Sequence, residues 1–164
     1  MSAAVSVNGD AGGQPATARP AEIAHAGLRG TVAAMAMTGM RAFTVHAGIV
    51  EETPPRAIFR QKARGLIRRV PRQQRRAVVE LVHLSYGAGG GIVFGLLPDG
   101  IRRRAWAGPA YGFVVWLGFE LGIAPALGLS QAKRPRPLER AAFAADHLLY
   151  GLVLSEMRSR PAED

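Results

Sequence analysis

The sequence predicts an all-α fold, a four-helix transmembrane bundle with small-residue (Gly/Ala) helix packing and an amphipathic basic connector. Three observations predict it: four long apolar stretches, small residues repeated at intervals of four within them, and basic residues gathered between them. The 164-residue chain contains no cysteine, which excludes disulfide frameworks, thiolate metal sites and thiol nucleophiles.

The chain divides into three parts by composition. Residues 1–22 are small, polar and Gly/Pro-containing, which predicts a disordered N-terminal tail without the apolar core of a signal peptide. Residues 23–157 form the transmembrane domain, and 158–164 form a C-terminal tail. The predicted helices cover roughly 24–50, 77–98, 105–129 and 138–157, and the basic connector covers 51–76.

The glycines indicate where helices meet. In a water-exposed helix each glycine costs about 1 kcal/mol relative to alanine, so the stretch "GAGGGIVFG" is a poor soluble helix. In lipid an apolar segment is driven to be helical, and small residues let helix backbones approach closely. Gly118 and Gly122 are also four residues apart, like the other small residues in these stretches. The predicted packing positions are Gly30, Ala34, Gly87, Gly91, Gly95, Gly108, Gly112 and Gly151.

Ionisable residues interrupt each stretch, so none has 18 uninterrupted apolar residues. A soluble helical bundle rich in alanine and glycine is the alternative interpretation. The interrupting residues are Arg41 in the first stretch, Glu80 and His83 in the second, Glu120 in the third, and Asp146 and His147 in the fourth.

These six residues form the predicted intramembrane polar cluster. At about 1.5 Å of rise per residue, they all fall between the bilayer midplane and the basic-loop side, on close-packing faces. A charge at the centre of a spanning helix costs about 2.5–3.5 kcal/mol, so we predict that Arg41 neutralises one of Glu120, Asp146 and Glu80.

Three functions fit this cluster at this stage. It can be structural, an ion pair and hydrogen bonds that hold the helices together. It can be a proton or ion path, because intramembrane carboxylates and histidines are relay groups. It can be a metal site, because Glu80-x-x-His83 has the spacing of carboxylate-bridged di-iron bundles.

The connector alternates apolar and basic residues at helical spacing. This predicts a short amphipathic helix on the membrane with its arginines toward anionic lipid headgroups; a solvated basic loop that only sets topology is the alternative. The segment lacks an aromatic stacking platform, so nucleic-acid binding is not expected. The membrane-surface arginines are Arg56, Arg60, Arg64, Arg68 and Arg69.

Loop charge predicts the orientation. The positive-inside rule places 51–76 and 130–140 in the cytoplasm and both termini outside, whereas Arg102, Arg103 and Arg104 favour the opposite.

Several short motifs carry a family resemblance. "GLRGTVAAMAMTGM", "PPRAIF", "HLSYGAGGGIVFGLL", "GPAYGFVVWLGFELGIAPALGL" and "DHLLYG" follow one another in an order that resembles the YagU-like family of small bacterial inner-membrane proteins, over 27–155. The resemblance implies a helical membrane protein of uncharacterised activity, with no catalytic residues to transfer. "HLSYG" and "HLLYG" also hint at a parallel internal repeat.

We therefore expect an uncharacterised multi-pass protein of the bacterial cytoplasmic membrane with a non-enzymatic structural or interaction role. Its expected partners are the lipid bilayer, anionic lipid headgroups, and a second copy or another membrane protein. The alternatives are a proton-linked transporter or pH-responsive protein, and a metal-binding bundle. We predict no cofactor and no catalytic residue, since the sequence has no phosphate-binding loop, nucleophile elbow or metalloprotease motif.

Overall fold

The computed structural model describes residues 20–50, 54–129 and 136–156. Within these ranges 84% of the residues are helical and none lies in a strand, which confirms the all-α class. Most of the predicted N-terminal tail and the whole C-terminal tail lie outside the described residues.

Four long helical segments account for most of the chain. A 3₁₀ turn, Arg72–Gln74, leads into the second of them, and a π-helical segment, Gly118–Ile123, continues the third. In chain order the helices are α1 (Pro20–His46), α2 (Pro54–Gln61), α3 (Arg64–Arg68), α4 (Arg75–Gly95), α5 (Asp99–Arg102), α6 (Ala107–Leu117), α7 (Ala124–Ala126) and α8 (Pro137–Glu156).

The first helix begins and ends about four residues earlier than predicted. Pro20 suits the first turn, where no N–H is needed, and Glu22 lies at the positive end of the helix dipole. Gly48, with φ of +71°, stops the helix. The N–H groups of Ile49 and Gly48 bond to the carbonyls of Thr44 and Val45 at 3.0 and 3.1 Å, the Schellman arrangement.

The third long segment ends in the same way. Gly128 has φ of +57°, and Leu129 N–H bonds to the carbonyl of Ala124 at 3.0 Å. Pro125 lies three residues before Gly128, within α7. Because Pro125 has no N–H, the carbonyl of Leu121 lacks its usual helical donor, which favours the widened π turn directly before it.

The basic connector forms two short helices instead of one. α2 and α3 are separated at Lys62 and Ala63. Ala57, fully buried, lies on the side of α2 that packs against α4. The five predicted membrane-surface arginines are all exposed on α2, on α3 or just after it.

The long segments pack side by side. α1 contacts both α4 and α8, and α6 contacts α8. The rings of Phe94 and Tyr111, 5.2 Å apart between centroids, bring α4 and α6 together. The buried cluster between them consists of Ala33, Ala34, Met37, Phe94, Ala107, Tyr150 and Leu154.

The predicted glycine positions lie at two of these contacts. Between α1 and α4, a Cβ added to Gly30 would lie 2.7 Å from the Cα of Gly91, and a Cβ on Gly95 would lie 2.5 Å from that of Ala26. Gly87 faces Ala34 in the same interface. The helices therefore touch backbone to backbone, which any larger residue prevents.

The α6–α8 contact repeats this arrangement. Gly108 and Gly112 lie against the backbone of Gly151 and its neighbours, and a Cβ on Gly112 would lie 3.2 Å from the nitrogen of Gly151. Gly118 and Gly122 do not share this role, since a Cβ on either would meet nothing within 4 Å. Both lie in the π-helical segment, whose wider turn breaks the four-residue spacing.

Two segments are long and apolar enough to cross a membrane, Arg72–Gly95 and Ala107–Ala126. A buried helix of a soluble protein can have the same length and apolar composition. Only 22% and 28% of the residues in the two apolar windows are buried, however. Of the other long helices, α1 and α8 fall short of the same hydropathy limit.

Candidate functional site

The candidate site is a group of buried and half-buried polar side chains where α1, α4 and α8 meet. We call it the Arg41 centre. It consists of Thr38, Arg41, Glu80, His83, Asp146 and His147.

Arg41 is paired with Asp146. Its Nε donates to Oδ2 of Asp146 at 3.1 Å, and the two side chains are only 9% and 1% exposed. This confirms the prediction that Arg41 neutralises one of three named acids. The partner comes from α8, because the packing of α8 against α1 brings Asp146, at the middle of α8, beside Arg41, near the end of α1.

Arg41 also contacts α4. Its Nη1 lies 3.2 Å from Nε2 and 3.4 Å from Nδ1 of His83. A guanidinium only donates hydrogen bonds, so the ring nitrogen that accepts must be unprotonated. One side chain from α1 therefore binds both α4 and α8.

Glu80 lies one helical turn before His83 on α4. The hydroxyl of Thr38 donates to Oε1 of Glu80 at 2.5 Å, a second polar contact between α1 and α4. Glu80 is also close enough to Arg41 and His83 to interact electrostatically with both. Glu80 and His83 thus lie on the side of α4 that faces α1.

Asp146 and His147 are neighbours in sequence with different partners. Nδ1 of His147 donates to the carbonyl of Phe143 at 2.7 Å, which leaves the lone pair on Nε2 in the neutral ring. Oδ1 of Asp146 is buried without a hydrogen-bond partner, so only one carboxylate oxygen is satisfied within the structure. The centre is therefore an incompletely satisfied polar network.

Glu120 does not belong to the Arg41 centre. The predicted intramembrane polar cluster of six residues is therefore wrong in this respect. Its Oε1 accepts from Nε of Arg140 at 2.6 Å. Arg140 lies six residues before Asp146 on α8, about 9 Å along the helix. Glu120 lies in the π-helical segment, whose larger turn changes the side of the helix on which it lies.

A cavity opens beside the centre, at the end of the bundle that carries the basic connector. Its volume is about 410 Å³. Thr38, Arg41 and Glu80 line it, together with Ala42, Val45, Pro55, Arg56, Arg76, Ala77 and Val79. Part of the Arg41 centre therefore has access to this cavity, whereas Asp146 and His147 do not line it.

Two tyrosine hydroxyls add contacts that the sequence analysis did not assign. Tyr150 donates to the carbonyl of Gly87 and Tyr111 donates to that of Gly90, each at 2.7 Å. Both acceptors lie in the middle of α4, where absent side chains expose the backbone. The glycine run was the available signal, because it marks backbone that a neighbouring hydroxyl can reach.

The two His-x-x-Tyr-Gly motifs occupy related but different environments. Gly87 faces α1 and Gly151 faces α6, so both glycines are packing positions. Tyr150 is buried, whereas Tyr86 is 54% exposed. The recurrence therefore reflects a shared packing role for the glycines more than a shared role for the tyrosines.

Among residues 20–50, 54–129 and 136–156, no three His, Asp or Glu side chains are grouped so that they could hold a metal ion. Glu80 and His83 instead face Thr38 and Arg41.

Comparison of the chain with protein-family models, with curated proteins and with solved structures gave no match. The resemblance to the YagU-like family therefore stays a prediction.

Proposed function

We propose that this chain is a multi-pass protein of the bacterial cytoplasmic membrane, in which α1, α4, α6–α7 and α8 cross the bilayer. We further propose that its role is structural or interactive and not enzymatic. The observation that carries the proposal is the inverted distribution of its side chains, with small and polar residues inside and large apolar residues outside.

The outer surface supports a lipid environment. Soluble proteins bury most large apolar side chains and rarely expose wide apolar patches. Here Phe43 is 66% exposed and Leu121 is 68% exposed. Every long segment contributes to this surface: Leu28, Val32, Met35 and Phe43 of α1; Leu81, Val82 and Val93 of α4; Phe113 and Val114 of α6; and Leu138, Leu148 and Leu152 of α8.

The interior is correspondingly polar and small. Of the thirteen buried hydrophobic residues in the described ranges, six are alanine. Arg41, His83, Glu139, Asp146 and His147 are buried alongside them. Bundles in lipid pack through small residues and turn their ionisable groups inward, which fits this interior.

The low hydropathy of α1 and α8 is compatible with spanning. Several of the residues that lower it, Arg41 in α1 and Glu139, Asp146 and His147 in α8, are buried in the bundle. Average hydropathy counts them as if they faced lipid. Large apolar side chains, such as Leu28 and Phe43 of α1 and Leu148 and Leu152 of α8, lie on the outer faces.

Cysteine labelling tests whether α1 spans the membrane in addition to α4, because the chain has no native cysteine. Ser6→Cys, Arg69→Cys and Arg103→Cys would be expressed separately and treated in intact cells with a membrane-impermeant maleimide. Four spans predict that the variants at 6 and 103 react and the variant at 69 reacts only after lysis. If only the two most apolar segments span, positions 6 and 69 behave alike, which would overturn the proposal.

The structural role rests on the contacts of Arg41. Its guanidinium binds Asp146 of α8 and His83 of α4. A group held between two partners from two other helices serves to fix those helices relative to one another. We infer that this clamp presents a rigid outer face to lipid and to a membrane partner.

A second candidate function, proton-linked transport, is favoured by one observation. Glu80 and Arg41 line the cavity at the basic end, and Asp146, the ion-pair partner of Arg41, has a buried Oδ1 without a hydrogen-bond partner. Carboxylates reached from one aqueous side are typical of proton paths.

Proteoliposomes separate the two candidates. A transporter acidifies its lumen under an imposed potential, and Glu80→Gln abolishes that flux while the cavity-remote Arg140→Gln retains it. A structural protein gives no flux above that of empty vesicles. Flux in the parent that is lost in Glu80→Gln would replace the structural role with transport.

A further inference from the structure

We propose that the cavity between α1, α2 and α4 is a binding site for the phosphate headgroup of an anionic phospholipid, held by Arg56 and Arg76. This deepens the proposed function, on which it rests, because a lipid reaches the cavity only if the bundle lies in a membrane.

The walls of the cavity come from three helices. α1 contributes Thr38, Arg41, Ala42 and Val45; α2 contributes Pro55 and Arg56; and α4 contributes Arg76, Ala77, Val79 and Glu80. The volume of about 410 Å³ lies within the range of about 300–1,000 Å³ that small-ligand sites occupy. The space therefore accommodates a polar headgroup and not only a single ion.

The described side chains that line the cavity carry more positive than negative charge. Among the described residues that line the cavity, Glu80 is the one acid, against three arginines. Arg41 is already paired with Asp146. In the described part of the chain, no hydrogen bond or ion pair engages the side chains of Arg56 and Arg76. Two guanidinium groups thus remain for an anion, and guanidinium donors match phosphate oxygens well.

The position of the cavity points to a lipid as the source of that phosphate. It lies at the end of the bundle that carries the basic connector, where the proposed topology places the cytoplasmic headgroup layer. Its remaining wall is largely apolar, from Ala42, Val45, Ala77 and Val79. A phospholipid satisfies both features, with its phosphate on the arginines and its glycerol and chain ends along the apolar wall.

The test compares two double variants with the same change of charge. Arg56→Gln/Arg76→Gln removes the cavity arginines, and Arg68→Gln/Arg69→Gln removes two exposed connector arginines that do not line the cavity. All four side chains are exposed, so both variants keep the fold. Each protein, in neutral detergent, is titrated with phosphatidylglycerol and with phosphatidylcholine, and bound lipid is counted by native mass spectrometry.

We expect saturable binding of phosphatidylglycerol to the parent and to Arg68→Gln/Arg69→Gln. We expect about tenfold weaker binding to Arg56→Gln/Arg76→Gln. Equal weakening in both double variants would mean diffuse attraction and would overturn the site, as would an absence of saturable binding to the parent.

Competition by soluble phosphates distinguishes a lipid phosphate from a free one. Glycerol phosphate and inorganic phosphate are added as competitors. Weak competition by both supports the lipid, whereas full displacement at concentrations equal to that of the lipid identifies a soluble phosphate ester and overturns the lipid assignment.

Alkaline carbonate extraction of the parent from cell membranes separates this failure from failure of the proposed function. Release into the supernatant removes the membrane assignment and the lipid with it. Retention in the pellet without selective lipid binding removes only the site.

Discussion

Arg41 of α1 and Asp146 of α8 are 105 residues apart in the chain, and a 3.1 Å hydrogen bond from Nε to Oδ2 joins them in the interior. Asp146 is 1% exposed, so it has no water to replace a lost partner. Removing one member of such a pair leaves an uncompensated buried charge, whereas removing both does not.

The first prediction follows from this asymmetry. Arg41→Met lowers the free energy of unfolding by about 3–5 kcal/mol, because Asp146 is left unpaired. The double variant Arg41→Met/Asp146→Leu recovers most of that loss. Denaturant titration in mixed micelles gives the four free energies of the double-mutant cycle.

The control is an ion pair exposed on both sides. The side chains of Arg103 and Asp99 are 69% and 59% exposed, and Arg103→Gln costs less than about 1 kcal/mol. If the Arg41→Met/Asp146→Leu protein is no more stable than Arg41→Met, the buried pair does not carry the coupling.

The second prediction concerns two glycines of α4 that lie two residues apart. A Cβ on Gly91 would lie 2.7 Å from the Cα of Gly30, so Gly91→Ala forces α1 and α4 apart. We expect a loss of about 1–3 kcal/mol in unfolding free energy, as for other overpacked sites.

Gly89 provides the control, since a Cβ there would meet nothing within 4 Å. Gly89→Ala gains up to about 1 kcal/mol, because alanine is the better helix former. Both variants are compared by the same micelle titration. A similar effect of the two substitutions would show that close backbone contact is not what holds α1 to α4.

The packing positions were predictable from sequence because they depend on a local period. Gly87 and Gly91 are one turn apart, so they share a face whatever the rest of the fold does. The partner of Arg41 was predictable only as one of three acids. Choosing Asp146 requires the docking of α8 on α1, a long-range arrangement that spacing within a helix does not contain.

Glu120 shows why an extrapolated row of residues fails. Its place in the predicted cluster assumed an uninterrupted α-helix over 105–129. The π-helical segment Gly118–Ile123, associated with Pro125, changes the angle per residue just before Glu120. The sequence contained the proline, which predicts an end or bend, but not the side toward which the preceding turn rotates.

The third prediction tests the contact of Tyr150 with α4. Its hydroxyl donates to the carbonyl of Gly87 at 2.7 Å, and Tyr150→Phe removes only that hydrogen bond. We expect a loss of about 0.5–1.5 kcal/mol, measured by thermal or denaturant unfolding in micelles. Tyr86→Phe, at the corresponding position of the other motif and 54% exposed, leaves stability unchanged. Equal losses would mean that the two motifs have the same role.

The last prediction separates the effect of backbone conformation at Gly128 from the effect of steric crowding there. Gly128 has φ of +57°, yet a Cβ there would have as its nearest neighbour Nζ of Lys62 at 3.8 Å, an ordinary contact. Gly128→Ala therefore costs about 1–2 kcal/mol solely because an L-residue is strained in the left-handed region.

Gly128→Asn separates the two causes, since asparagine tolerates that region better than alanine although its side chain is larger. We expect Gly128→Asn to be more stable than Gly128→Ala in the same unfolding titration. If the larger side chain is the more destabilising one, crowding and not the left-handed backbone controls this helix end, and the Schellman cap is not what terminates the third long segment.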